Sequence, residues 1–381
     1  MPGGTIDFVI SRTRLSFAIL FALTVVQPAG AQHWDVQFYH DELRSEMSIV
    51  DIQFPSAERG IAVGYRYENK QQYGQFRTQP GKGFALVTAD GGAHWQETQI
   101  KALPRSVFFL NDSVGWLVAS DSLWKTNESG KEWQKVAKLK YDVERVYFLD
   151  ELHGWGVGVS AALETFDGGK TWKAIRVSPV LQGDPNRTRF PWVTFVNPKE
   201  GLMIGNNDPR NYGPLGDMPG RSGIRETPHL NFILQTLDGG GLWRAASLSM
   251  FGNFTRLKLS PKGKSIGVIE HAETFEVPSE VVGQNGPDEK LHLVFKDPKF
   301  FVSDVWVSPD GTYYMAGIAL ASRLHSVIPQ RVRVAKSRDL KTWTSIPVDY
   351  RAVANRVSIT GSDEDNIWLA TNNGMILKLK P

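Results

Sequence analysis

Thr165-Phe-Asp-Gly-Gly-Lys-Thr-Trp172 is one copy of a pattern that returns along most of the chain. The other full-length copies are Thr88-Ala-Asp-Gly-Gly-Ala-His-Trp95, Thr126-Asn-Glu-Ser-Gly-Lys-Glu-Trp133 and Thr236-Leu-Asp-Gly-Gly-Gly-Leu-Trp243. Ser337-Arg-Asp-Leu-Lys-Thr-Trp343 is one residue shorter and lacks the glycine. The pattern reads as a tight hairpin. A hydroxyl (Thr88, Thr126, Thr165, Thr236) ends one strand, and an acidic side chain (Asp90, Asp167, Asp238, Asp339) accepts hydrogen bonds from turn amides. Glycine (Gly92, Gly130, Gly169, Gly240) supplies the positive φ, and tryptophan (Trp95, Trp133, Trp172, Trp243, Trp343) opens the next strand and packs beneath the turn. One Asp-Gly would mean little, whereas a box repeated with its aromatic at the same offset indicates a repeat architecture.

Each repeat carries more than its box. Val107-Phe-Phe-Leu-Asn-Asp-Ser-Val-Gly-Trp-Leu-Val-Ala119 is an alternating apolar run, a polar turn and a second strand, and a third strand then enters the box. Val146-Tyr-Phe-Leu-Asp-Glu-Leu-His-Gly-Trp-Gly-Val-Gly158 and Val193-Thr-Phe-Val-Asn-Pro-Lys-Glu-Gly-Leu-Met-Ile-Gly205 repeat it, as do residues 49–64. Four-stranded units of about 40 residues in tandem are propeller blades. First strands are expected near Ile49, Val107, Val146, Val193, Phe254, Val305 and Val357. The stretch 254–301 has no box, and its inner register is left open.

The end of the chain supplies three strands of a last blade, at residues 357–360, 367–371 and 375–379, and no fourth. Trp34-Asp-Val-Gln-Phe38 has the form of the strands that follow the boxes. The expected fold is therefore all-β, a seven-bladed β-propeller over residues 32–381 in which the N-terminal strand completes the last blade and covers its edge. Residues 1–31 read as a signal peptide, with Arg12 and Arg14 before the apolar run 15–26 and Ala29-Gly30-Ala31 as the cleavage signal. The protein is accordingly expected to be exported, whether periplasmic, lumenal or secreted, without a transmembrane span after cleavage.

The formal net charge of +3 gives no argument for nucleic acid as a partner. The chain has no cysteine, which excludes disulfides, zinc–thiolate sites and a cysteine nucleophile together. No histidine shows paired metal spacing, Gly154, Gly156 and Gly158 alternate along a strand and open no helix, and no Gly-x-Ser-x-Gly elbow is present. The sequence calls for no metal, no cofactor and no catalytic residue. The box aspartates lie on different blades and each has its own turn to stabilise, so they read as structural.

With these motifs in view, the chain resembles the BNR (Asp-box) propellers. The combination of Val-x-Phe, Gly-Trp-x-Val and box is similar to the photosystem II assembly and stability factor family, most sharply in the second to fourth blades. The resemblance implies a propeller without catalytic activity, an assembly chaperone or scaffold for a membrane-protein partner of photosynthesis. Such propellers also occur in bacteria that have no photosystem, so the architecture transfers better than the partner.

Long connections fall at residues 68–82, 176–190, 206–229 and 319–330. In a propeller, connections from second to third strand and from one blade to the next emerge on the same side, so these extensions mark a working face. Arg187, Arg189, Arg210, Tyr212, Arg221 and Arg225 are the candidate partner-binding residues there, with Asn206 and Asn207 among them, since guanidinium donors suit a carboxylate. Glu273, Glu276 and Glu280 adjoin on that face if residues 271–290 form a connection, and move partly to the other face if residues 273–277 are a strand. Two function classes remain: a propeller that binds a protein partner, and a sialidase-like glycoside hydrolase. The latter needs a three-arginine clamp, an acid aspartate and a Tyr/Glu pair. An early Phe/Tyr-Arg-Ile-Pro segment is absent, and Arg189-Phe-Pro lies in the wrong blade.

Overall fold

The computed structural model describes residues 32–42, 45–72, 75–79, 81–181, 187–207, 227–272, 275–320, 330–352 and 354–381. The expected signal peptide, Arg210, Tyr212, Arg221, Arg225 and Glu273 lie outside them. Every regular element among the described residues is a β-strand, and each expected first strand is present.

The chain runs as antiparallel meanders, each beginning with one of those strands. One meander comprises Pro104–Phe109, Gly115–Ala119, Ser122–Thr126 and Gln134–Lys138 in sequential order. The units beginning at Ser45–Gln53, Asp142–Phe148, Arg189–Phe195, Asn253–Leu259 and Phe300–Val307 follow the same plan. The unit of Val357–Asp363, Asn366–Thr371 and Met375–Lys380 takes its fourth strand from His33–Tyr39, which pairs antiparallel with Met375–Lys380, Trp34 opposite Leu379. Each first strand contacts the first strand of the next unit, and Val357–Asp363 contacts Ser45–Gln53.

The repeated aromatics explain why the units stack. Trp116 stacks on Phe148 of the following unit at 3.8 Å and 6°, and its indole N–H donates to the carbonyl of Gly168 in that unit's box. Phe148 meets the box tryptophan Trp172 edge-on. Trp155, Phe195 and Trp243 repeat the arrangement. So do Trp368, Phe54 and Trp95, with Phe54 stacked on Trp368 at 3.5 Å, which joins the end of the chain to its beginning. Each core cluster therefore lies between two units and not within one, as in the cluster holding Met47, Ile49 and Phe84 with Trp368, Ala370 and Ile376. Burying aromatics of this size contributes several kcal/mol per unit junction, about 1.5–3 for each large side chain.

The boxes form turns. Thr165 Oγ1 donates to Asp167 Oδ1 at 2.8 Å and accepts the Gly169 N–H at 3.0 Å, while Asp167 accepts from the Thr171 amide and hydroxyl. Gly169 has φ +93°, and a Cβ there would stand 2.2 Å from Leu123 Cδ2 in the preceding unit. The shortened box places Leu340 at φ +62°, a position uncommon for a side chain of this kind, with its side chain buried against the core.

Two expectations change. The extension after the second strand of the first unit is not a loop: Gly60–Gln72 runs on and Gln75–Gln79 pairs back against it. In the box-less unit the third strand is Ser279–Gln284, so 271–290 is not one connection, and of the alternative strand 273–277 the described residues 275–277 are not in a strand. Glu276 lies in the connection and Glu280 in the strand.

Candidate partner-binding site

First strands share a second periodic feature. The register shifts by one residue between Ile49 and Asp51, Pro104 and Ser106, Val143 and Arg145, Phe254 and Arg256, and Val302 and Asp304. In the unit beginning at Arg189 the shift lies between Arg189 and Trp192. Such a bulge turns the strand locally and re-aims the residue after it. The residues that follow the shifts are Asp51, Ser106, Arg145, Trp192, Arg256 and Asp304, one from each of these successive units, and they converge.

The contacts establish the convergence. Arg145 reaches past the unit of Ser106 to Asp51, at 3.0 Å. Arg356 reaches past the Phe300–Val307 unit to Glu270, at 2.6 Å, and Glu270 also accepts from the Thr255 hydroxyl. Arg256 faces Asp304 at 3.8 Å. Around the buried indole of Trp192 lie Arg145 at 4.1 Å, Lys258 Nζ at 4.2 Å and Arg256 at 5.4 Å. Three cations on one aromatic face system gain from the ring quadrupole, more so where water is scarce.

The carboxylates also tie backbone to backbone. Asp51 accepts from Val107 N and Asp304 from Ile359 N, each in the next unit's first strand. Gln53 exchanges two hydrogen bonds with Phe109, and Ser303 does the same with Val357. The first strands are thus held to one another by side chains where no ladder joins them.

Charge states follow from this crowding. Burial pulls Lys258 and Arg256 below their usual ranges despite the nearby charge of Asp304. Burial works against ionisation of Glu270, but the Arg356 charge and its hydrogen bonds outweigh it, and the carboxyl sits below the usual carboxylate range. For Arg356 the balance runs the other way: desolvation is outweighed by Glu270, and the guanidinium is held above its usual value. Four cations stand here against Asp51, Asp304 and Glu270, so the cluster is net positive. Asp304 Oδ1 is buried without a hydrogen-bond partner among the described residues.

Of the residues singled out from sequence, Arg187 is exposed just ahead of the strand Arg189–Phe195. Arg189 is half-buried and spends two of its donors on Glu144, at 3.0 and 2.8 Å. Asn206 is buried, and Asn207 donates to Thr188. The Arg145, Trp192, Arg256, Lys258 and Arg356 cluster was missed, although a signal existed. Ile49-Val-Asp-Ile52, Val143-Glu-Arg-Val146, Phe254-Thr-Arg-Leu257 and Val302-Ser-Asp-Val305 place a charged residue at the third position of a stretch that begins and ends apolar.

The box carboxylates stay with their turns. Asp90 is lowered to about 2 by the His94 amide and side chain, and Asp339 to about 2 by the Thr342 and Lys341 amides. For Asp167 burial acts in opposition, and the Thr171 hydroxyl and amide overcome it to reach about 2.

No protein-family model and no curated protein matches the chain. Among solved structures it is similar to YCF48 from Cyanidioschyzon merolae, at 17% identity and TM-score 0.58 over 92% of this chain and 99% of that one. It is similar also to YCF48 bound to a D1 peptide, at 16% identity and TM-score 0.56 over 91% and 97%. An ancestral GH74 enzyme is similar at 11% identity and TM-score 0.54, over 90% of this chain and 46% of that one. At these identities the likeness speaks for architecture. In architecture the chain is a β-propeller that resembles the photosystem II assembly factor YCF48.

Proposed function

We propose that the chain is an exported, non-enzymatic seven-bladed propeller, its last blade completed by His33–Tyr39, that holds a carboxylate-bearing segment of a protein partner. The unbroken circuit of contacts between first strands and the pairing of His33–Tyr39 with Met375–Lys380 support the closed ring. The gathering of Arg145, Arg256 and Lys258 around Trp192 carries the binding function. It presents excess positive charge where water is scarce, and among the described residues the half-buried Lys258 ammonium forms a cation–π contact but no ion pair as close as those of its neighbours. The likeness to a YCF48 that binds a D1 peptide is consistent with a polypeptide ligand. Arg187 is exposed just ahead of Arg189–Phe195, the strand that carries Trp192.

A hydrolase is the second reading, favoured by the GH74 likeness. One experiment separates them: capture of partners from membrane extracts by wild type and by Lys258→Met, with a glycosidase substrate panel run on the same preparations. The expected result is a captured protein whose yield falls in the variant while the melting curve is unchanged. Turnover of a glycoside without any captured protein would reverse the assignment.

A further inference from the structure

The inner cluster is matched charge by charge except at one position. Arg145 faces Asp51 at 3.0 Å, Arg256 faces Asp304 at 3.8 Å and Arg356 faces Glu270 at 2.6 Å. Lys258 is the remaining cation, and among the described residues no carboxylate stands within ion-pairing distance of it. Its ammonium lies 4.2 Å over the Trp192 indole, a ring it shares with Arg145 at 4.1 Å and Arg256 at 5.4 Å.

The charged groups that act on Lys258 are Asp304, Arg145, Asp51 and Arg256, and each of them already has a partner. Arg189, on the strand that carries Trp192, is bonded to Glu144. Burial favours the neutral amine most, the two guanidiniums add to it, and the two carboxylates oppose it. The balance holds Lys258 below the usual lysine range. The indole face favours the charged form, but three cations share it. Lysines that are desolvated or set beside other cations are the ones suited to condense with carbonyl compounds.

We propose that Lys258 is a covalent site for small oxo acids, its Nζ condensing reversibly with an aldehyde or ketone whose carboxylate lies against Arg145 and Arg256. Nζ, its ammonium proton already lost to solvent, adds its lone pair to the carbonyl carbon, and the C=O π pair moves to oxygen. Both remaining N–H protons pass to that oxygen, and water leaves as the C=N bond forms. No oxidant or reductant is consumed. The imine then takes a proton from solvent, so the iminium joins Arg145, Arg256 and Arg356, and the incoming carboxylate joins Asp51, Asp304 and Glu270. The unmatched charge is thereby matched. This reaction needs no protein partner and stands apart from the binding function proposed above.

The probe is glyoxylate, small enough for a half-buried amine, with cyanoborohydride present to reduce the iminium to a stable carboxymethyl-lysine that peptide mass spectrometry locates. On the purified full chain at neutral pH, Lys258 is expected to be labelled about tenfold faster than the exposed Lys101, Lys140 and Lys290. The lead is expected to shrink as pH rises toward about 10.4, where ordinary lysines also lose their protons. With acetaldehyde, which lacks the carboxylate, the lead is expected to fall several-fold. Arg256→Gln, its melting curve recorded alongside, is expected to bring the glyoxylate rate at Lys258 down to that of the exposed lysines. Labelling of Lys258 no faster than of those lysines, an equal lead for glyoxylate and acetaldehyde, or a lead that a folded Arg256→Gln retains in full overturns the proposal. If Arg256→Gln fails to fold, the two probes on wild type decide.

Discussion

The inner strand Arg189–Phe195 and the outer strand Trp243–Met250 belong to one meander and have opposite characters. The inner strand is held from both sides: Arg189 bonds Glu144 of the preceding unit, and Trp192 meets Arg256 and Lys258 of the following one. The outer strand meets Val177–Ser178 at one end and is exposed along most of its remaining length. The difference has a geometric origin. Where strands crowd together, side chains from many units can compensate one another's charge, and polar chemistry accumulates there. Farther out each sheet must manage its own edge.

The largest expected effect tests the edge side of this contrast. Deleting residues 34–38 removes the fourth strand of the last unit, exposes Met375–Lys380 and withdraws the buried Trp34. Loss of a single cooperative transition in thermal melting, with aggregation, is the outcome to look for. An unchanged melting curve would show that the pairing contributes little.

A middle-sized effect tests the inner side. Arg356→Met leaves Glu270 with the Thr255 hydroxyl as its remaining hydrogen-bond donor. Removing one member of a buried pair costs about 3–5 kcal/mol. Because Arg356 is 26% exposed, solvent reduces this, and about 1–3 kcal/mol is expected in urea unfolding. The sign with pH is fixed. Glu270 is held below its usual range, so the pair's contribution is present above about pH 4, near the ordinary glutamate value, and is lost as pH falls through the depressed one. The gap between variant and wild type should therefore narrow in acid.

The smallest effect concerns the turns, which belong to neither side. The carboxyls of Asp90, Asp167 and Asp339 are lowered to about 2, so their contribution is complete above about pH 4 and disappears as pH falls through about 2. Asp167→Asn should lower the melting temperature modestly at neutral pH, and the gap from wild type should close as pH falls through about 2. An acid limb as steep as wild type would locate the acid sensitivity elsewhere.

Much of this was legible in the residues. Thr165, Asp167, Gly169 and Trp172 define a turn because each supplies a local need, and local needs repeat with the unit. The tryptophans of the Gly-Trp pairs could be assigned to strands but not to partners, since Trp116 stacks on a phenylalanine 32 residues later in the next unit. The hairpin of Gly60–Gln72 and Gln75–Gln79 escaped because its polar sequence shows no alternation to mark strands. Arg189 was selected as a binding arginine, and the structure gives it to Glu144, a residue 45 positions away.

The sequence by itself determined the unit: its strand order, its box and the aromatic at each end. Those features arise from interactions within a few residues or within one hairpin, and they are written in spacing. Only the tertiary structure decided that Asp51, Arg145, Trp192, Arg256 and Asp304 face one another, because their shared offset becomes proximity only when successive sheets are arranged side by side. It likewise decided that Trp243–Met250 is the open edge, since exposure is a property of what packs beside a strand and not of the strand alone.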